Sequence, residues 1–265
     1  MTTLLIDLDG VLYQGEHAVP GAAEAITWIQ DNAIPHLFVT NTTSRPRRAL
    51  VEKLSRMSVD ITEQTVLTPP VAATRWLLKH VPGPAALFVA DATLEEFDSL
   101  EIAPVGQTSV ASVVVGDYAE RWNFGELNRA FRLLMNEPRP VLVALGMTRY
   151  WLAEDGLRLD TAPFVMALAH ASGADPVVLG KPARPFFETA LAMLAASPAE
   201  TLMVGDDIQS DIAGAQAAGV RGVLVRTGKF RPDDLDRDIR PDFVLDSIAE
   251  LPECWSELSG TLTKP

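Results

Sequence analysis

This sequence predicts an α/β fold built on a parallel sheet, on three observations. Short apolar runs of strand length alternate with helix-like patterns almost from end to end. The strand-like runs are apolar throughout, which suits strands covered on both faces by helices. Helix start and stop residues fall between the two kinds of segment, where such an alternation needs them.

Taken in order, strands are expected at residues 4–6, 36–40, 87–90, 112–115, 141–145, 177–179, 201–204, 222–225 and 243–245. Helices are expected at 22–30, 47–57, 71–80, 125–135, 163–171, 185–194 and 211–218. Ser44 followed by Pro46 opens one helix, Thr68 with Pro69 and Pro70 another, and Arg184-Pro185 a third. Gly219 closes the helix at 211–218, where a left-handed residue is favoured. Residues 149–159 break the rhythm: a Glu154-Asp155-Gly156 turn between alternating residues reads as a β-hairpin. No internal repeat or low-complexity tract interrupts the pattern.

Composition narrows the function classes. A chain of 265 residues with 48% hydrophobic content can bury a full core, as one large domain or as a core with an inserted second domain. A formal charge of −13 argues against nucleic acid and against an anionic membrane surface, because both need clustered positive charge. An anionic substrate in such a field needs a metal ion or local cations beside it. Cys254 is the single cysteine, so no intramolecular disulfide framework exists. With neither a secretory signal nor a spanning segment legible, a soluble cytoplasmic protein is expected.

Four short elements carry chemistry, each at or just beyond the end of an expected strand, the edge where open α/β sheets bind ligands. Asp7-Leu8-Asp9-Gly10 places two carboxylates one residue apart; they repel unless a cation or proton lies between them. An acidic turn is the plainer reading of that segment alone. Thr40-Asn41-Thr42-Thr43-Ser44 offers hydroxyls and amides ahead of a helix, suited to an anionic oxygen, although simple capping by Ser44 explains it as well. Lys181, between Gly180 and Pro182, can neutralise a carboxylate and a phosphate together, though most lysines are only solvated. Gly205-Asp206-Asp207 with Asp211 supplies hard oxygen ligands of the kind magnesium prefers, with Asp207 or Asp211 also available as a helix cap.

The ordered set Asp-x-Asp, Thr-Asn, Lys-Pro, Gly-Asp-Asp-x-x-x-Asp resembles the four motifs of the haloacid dehalogenase superfamily. The resemblance implies a Rossmann-like core and a magnesium-dependent phosphatase acting on a small phosphorylated metabolite. Asp7 would be the nucleophile that forms an aspartyl-phosphate, and Asp9 the general acid/base. Thr40 and Asn41 would hold the phosphoryl group, and Lys181 would stabilise its charge and orient Asp7. Mg2+ would be held by Asp7, the Asp9 carbonyl and Asp206, supported by Asp207 and Asp211. Haloalkanoate dehalogenases need neither the metal nor the second aspartate, so Asp9 favours phosphoryl transfer.

Spacing places the lid. Only about 30 residues separate Asp9 from Thr40, whereas about 140 separate Thr40 from Lys181, far beyond one crossover. The expected division is a core from residues 1–68 and 179–265 and a smaller α/β cap from 69–178. That arrangement is similar to the NagD-like and p-nitrophenyl-phosphatase-like subgroup with a C2-type cap, whose cap also implies a homodimer. Leu145-Gly-Met-Thr-Arg-Tyr-Trp151, Gly156-Leu-Arg-Leu-Asp160 and Val225-Arg-Thr-Gly-Lys-Phe-Arg-Pro232 resemble the phospholysine phosphohistidine inorganic pyrophosphate phosphatase group.

Other residues are given plainer roles. Arg149, Tyr150 and Trp151 lie in the cap hairpin, where they either face a substrate or, the favoured reading, pack as aromatics beside a solvated arginine. Asp233, Asp234, Asp236 and Asp238 are expected to form a solvated loop. His17, His36, His80 and His170 show no ligand spacing. Two other readings remain: a phosphotransferase or mutase with the same intermediate, and a non-catalytic phosphate-binding regulatory module. A dinucleotide-binding protein is disfavoured, since no Gly-x-Gly-x-x-Gly follows the first strand.

Overall fold

The computed structural model describes residues 1–153 and 155–260. Its strands are β1 (Thr3–Asp7), β2 (Tyr13–Gln14), β3 (His17–Ala18), β4 (His36–Val39), β5 (Val66–Leu67), β6 (Ala85–Phe88) and β7 (Ser112–Val115). They continue with β8 (Val141–Ala144), β9 (Tyr150–Ala153), β10 (Gly156–Leu159), β11 (Val177–Val178), β12 (Thr201–Gly205), β13 (Arg221–Val225) and β14 (Phe243–Leu245). The α-helices are α1 (Ala22–Asp31), α2 (Arg47–Ser55), α3 (Pro69–His80), α4 (Phe124–Leu134), α5 (Thr161–Ser172), α6 (Arg184–Leu194), α7 (Gly214–Ala217) and α8 (Leu251–Gly260).

The chain divides into two compact units. The first comprises Met1–Thr40, Arg47–Leu67 and everything from Lys181 onward; the second comprises Asn41–Pro46 and Thr68–Gly180.

In the first unit a parallel sheet runs in the order β14-β13-β12-β1-β4-β5. Its central strands β1 and β12 are buried along their whole length. Such continuously apolar strands stay in register because both faces are covered, and each buried aliphatic side chain contributes roughly 1.5–3 kcal/mol. Helix α1 covers one face through Ala22, Ala25, Ile26 and Ile29, whose spacing forms a single apolar stripe. Residues Leu4, Ile6, Phe38, Leu50, Leu54, Val204 and Val223 join that stripe in one core. Between β1 and α1 the chain makes a small hairpin, β2 against β3. The Asp7↔Val39 and Gly205↔Leu224 pairings bring Asp7, Thr40 and Asp206 to the same carboxyl-terminal sheet edge.

The second unit carries its own parallel sheet, β11-β8-β7-β6, and the antiparallel ribbon β9–β10. The Trp122 indole stacks between Phe88 and Phe164, at 5.5 and 4.9 Å between ring centroids. Helix α3 opens on the Thr68 hydroxyl, which accepts from the Val71 amide, and on Pro69. Helix α5 opens on Asp160 and ends on Gly173 in the left-handed conformation.

Several details differ from the sequence reading. Strand β6 spans Ala85–Phe88, two residues earlier than expected, because the apolar run at 85–90 outlasts the pairing with β7 and cannot mark its own ends. The helix expected at 211–218 instead starts as a π-helical turn, Ile208–Ala213, capped by Asp207, and only then becomes α7. Tyr150 and Trp151 do not pack: they are 51% and 48% exposed, since among the described residues the β9–β10 ribbon pairs with no further strand. Its turn residue Glu154 lies outside the described residues. Asp234 is buried, accepting from the Arg231 amide at 2.7 Å and pairing with Arg237 at 3.1 Å, so this part of the acidic loop is not solvated. Strand β5 and helix α8 carry too weak a periodic signal to be marked in advance. Among the described residues no helix is long and apolar enough to cross a membrane.

Candidate active site

The candidate site lies at the carboxyl-terminal edge of the first unit's sheet. Asp7 is the last residue of β1 and is buried. Lys181 donates from Nζ to Asp7 Oδ1 at 2.6 Å and lies 2.7 Å from Asp211 Oδ1, with its side chain 3% exposed. Burial alone lowers the Lys181 ammonium, but the Asp211 and Asp7 carboxylates outweigh it and hold it well above lysine's ordinary value. One buried ammonium thus joins two buried carboxyl groups.

Asp206 follows β12 directly and is 1% exposed. Carboxylate oxygens of Asp7, Asp206 and Asp211 lie within 4.8 Å of one another. Burial, and then the Asp7 charge, push the Asp206 carboxyl up to about 7. Burial similarly raises Asp211 to about 6, with Lys181 acting against it. Asp206 Oδ1 is buried without a hydrogen-bond partner among the described residues. An orphaned carboxylate oxygen beside two more buried carboxylates is the donor set a hard divalent cation fits.

Asp207 points elsewhere. Its Oδ1 accepts from the Gln209 and Ser210 amides at 3.0 Å each, capping the π-helical turn. These bonds and the Lys229 ammonium outweigh the effect of burial and hold its carboxyl below the usual range. Its own amide donates to Asp211 Oδ2 at 3.1 Å, which fixes the Asp211 carboxylate. Gly205 permits this, because a Cβ there would lie 2.3 Å from Asp211 Cβ.

Asp9 is exposed and stands apart from the buried carboxylate cluster. Thr40 is buried one residue beyond β4, its amide bonded to Leu67 O at 3.1 Å. Asn41 is exposed and belongs to the second unit by its contacts.

Sequence reasoning gave no role to one segment, Thr227-Gly228-Lys229. The Lys229 amide donates to Asp206 Oδ2 at 2.7 Å, and its Nζ lies 3.4 Å from Asp207 Oδ2. The Thr227 hydroxyl donates to the Gly10 carbonyl. Gly228 has φ +61, and a Cβ there would stand 1.9 Å from Asp206 Oδ2 and 2.6 Å from Gly10 Cα. The segment thus clamps the Asp7–Gly10 loop to Asp206. Its signal was available: like the four motifs, it is a polar segment just past an apolar strand.

In the second unit, a cavity of about 210 Å³ is lined by Asp117, Tyr118, Trp122, Trp151, Arg158 and Asp160 among others. Burial pushes the Asp117 carboxyl up.

Comparison with known proteins is decisive at this point. A haloacid dehalogenase-like hydrolase model matches residues 4–102, and a HAD-hydrolase-like model matches 178–251. Phospholysine phosphohistidine inorganic pyrophosphate phosphatase of Danio rerio is 38% identical over 93% of this chain and 91% of its own length. The chain belongs to the haloacid dehalogenase-like hydrolases, among their NagD-like phosphatases. The Homo sapiens protein of the same name is 36% identical, covering 93% of this chain and 91% of its own length. Among solved structures, p-nitrophenyl phosphatase from Archaeoglobus fulgidus superposes with a TM-score of 0.86 at 27% identity, covering 96% of this chain and 98% of that one. NagD from E. coli K-12 gives 0.84 at 25% identity, covering 94% and 98%.

Proposed function

We propose that this hydrolase removes a phosphoryl group from a small phosphorylated metabolite through an aspartyl-phosphate at Asp7, with magnesium as cofactor. The observation that carries this reading is the buried Lys181 ammonium bridging Asp7 and Asp211, with the orphaned Asp206 oxygen beside them.

In this reading an Asp7 carboxylate oxygen attacks phosphorus while the bond to the leaving oxygen breaks. Asp9, on its exposed loop, donates a proton to that leaving oxygen and later takes one from the water that attacks the phospho-aspartate. That second attack breaks the bond between phosphorus and Asp7, returning the carboxylate. Lys181 holds Asp7 in one orientation and offsets charge that develops on the phosphoryl oxygens. Thr40 and the Asn41 amide bind those oxygens. Asp7, the Asp9 carbonyl and Asp206 would hold Mg2+, supported by Asp207 and Asp211, and the ion supplies charge neutralisation at the phosphoryl group.

In this reading the first unit serves as the catalytic core and the second as a C2-type cap domain. The test is phosphate release from a panel of phosphorylated metabolites, pyrophosphate and p-nitrophenyl phosphate, with magnesium and with EDTA. Magnesium-dependent release supports the reading; release that EDTA leaves unchanged counts against the cofactor. Phosphate transferred to an added alcohol in place of water favours a phosphotransferase.

A further inference from the structure

Lys53 is a buried lysine outside the carboxylate cluster, 7% exposed, on helix α2. A buried ammonium is unfavourable unless it is compensated, and its Glu16 partner, 3.2 Å away, is 73% exposed and so compensates weakly. Its other contact is the Tyr13 ring, whose centroid lies 4.2 Å from Nζ. An ammonium over an aromatic face is attracted by the ring's quadrupole, more so when both are dry, and Tyr13 is 6% exposed.

Tyr13 is tied to the Asp7–Gly10 loop from both sides. Its carbonyl accepts from the Gly10 amide at 2.7 Å, and its own amide donates to Leu8 O at 3.3 Å. A bridge also pairs Asp9 with Tyr13. Glu16 sits in the turn of the β2–β3 hairpin that Tyr13 begins. Lys53 thus grips both the base and the turn of the hairpin, and the base fixes the backbone on either side of Asp9.

We infer that Lys53 is a positioning residue: by clasping Tyr13 and Glu16 it holds the loop that aims Asp9 at the leaving oxygen. This rests on the phosphatase reading, in which Asp9 is the general acid. Among the described residues no side-chain hydrogen bond or ion pair holds the Asp9 carboxylate, so its placement depends on its backbone. With magnesium kept saturating, so that a displaced Asp9 carbonyl does not empty the metal site, loosening that backbone should harm most a step that needs the proton. An alkyl phosphate needs it, because an alkoxide leaves poorly; p-nitrophenyl phosphate does not, because its phenolate leaves unaided.

The experiment compares Lys53→Met, which keeps length and apolar burial without the charge, with Lys53→Arg, which keeps a cation over the ring. Two readouts are taken: kcat/KM on glycerol phosphate and on p-nitrophenyl phosphate, and hydrogen exchange of the Gly10 amide. In Lys53→Met, kcat/KM on the alkyl ester should fall about tenfold, a fraction of what a general acid typically supplies, while the nitrophenyl ester changes less than about twofold. The Gly10 amide should exchange faster, and Lys53→Arg should restore both. An equal fall on both esters, or unchanged Gly10 exchange, overturns the inference. If the unaltered protein releases phosphate from no member of the panel, the phosphatase reading fails, and the exchange readout still decides whether Lys53 holds the loop.

Discussion

Replacing Gly228 by alanine probes the clamp that sequence reasoning overlooked. The native φ of +61 puts alanine in the left-handed region, a strain of about 1–2 kcal/mol. The added Cβ would also lie 1.9 Å from Asp206 Oδ2 and 2.6 Å from Gly10 Cα. Neither neighbour yields easily: Gly10 is backbone, and Asp206 is 1% exposed and bonded to the Lys229 amide. The carboxylate must move by more than about an ångström to reach an ordinary contact, losing a charge-assisted hydrogen bond worth about 1.5–3 kcal/mol. Together these predict a loss of about 2.5–5 kcal/mol in stability, read by urea unfolding. Magnesium affinity should fall about 10–100-fold, as when a metal ligand loses its support. Gly173→Ala is the control: its φ is +69, and the nearest atom to its Cβ is Arg139 Nη1 at 3.8 Å. It should show the strain alone, with magnesium affinity and turnover close to those of the unaltered protein. Native magnesium affinity in Gly228→Ala, or an equal loss in Gly173→Ala, would refute the clamp.

The other predictions concern the buried charges. The folded-state Asp206 value of about 7 stands above its ordinary 3.8, so the folded protein without cation keeps a proton that the unfolded chain releases. Its stability should therefore fall as pH rises from about 4 to about 7, by up to about 4 kcal/mol, and magnesium should reverse the loss. A cation must displace that proton, so titration calorimetry should find magnesium bound about tenfold more tightly at pH 8 than at pH 6; equal affinity would count against the assignment. Lys181→Met leaves Asp7 and Asp211 buried without their shared cation, so it should cost about 3–5 kcal/mol in denaturant and at least about 100-fold in kcat. A variant within tenfold of native turnover would remove Lys181 from the mechanism.

The sheet was legible because its central strands are apolar on both faces, and a run such as Thr201–Gly205 has no other plausible use. Asp7 and Asp206 were legible for a related reason: polar residues that end or directly follow buried strands emerge at a sheet edge. Lys181, by contrast, follows the half-buried β11 of the other sheet by three residues and was legible only from its place between Gly180 and Pro182. Which carboxylates converge was less so. Asp211 reaches the Asp7 and Asp206 oxygens only because Asp207 caps a π-helical turn and Gly205 lets Asp211 lean on the strand, geometry that residue spacing does not encode. The Lys229 contact to Asp206 is made by a backbone amide, which leaves no trace in residue type. Tyr150 and Trp151 read as packed because large aromatics usually are; the sequence does not say that β9 and β10 pair only with each other.

The measurement that tests the central claim most directly is rapid acid quench of the magnesium-loaded protein mixed with a radiolabelled phosphate ester. Label should be trapped on the peptide containing Asp7, should be released by hydroxylamine as an acyl phosphate is, and should be absent from Asp7→Asn together with turnover. Turnover undiminished in Asp7→Asn, or label trapped on another residue, would contradict the account.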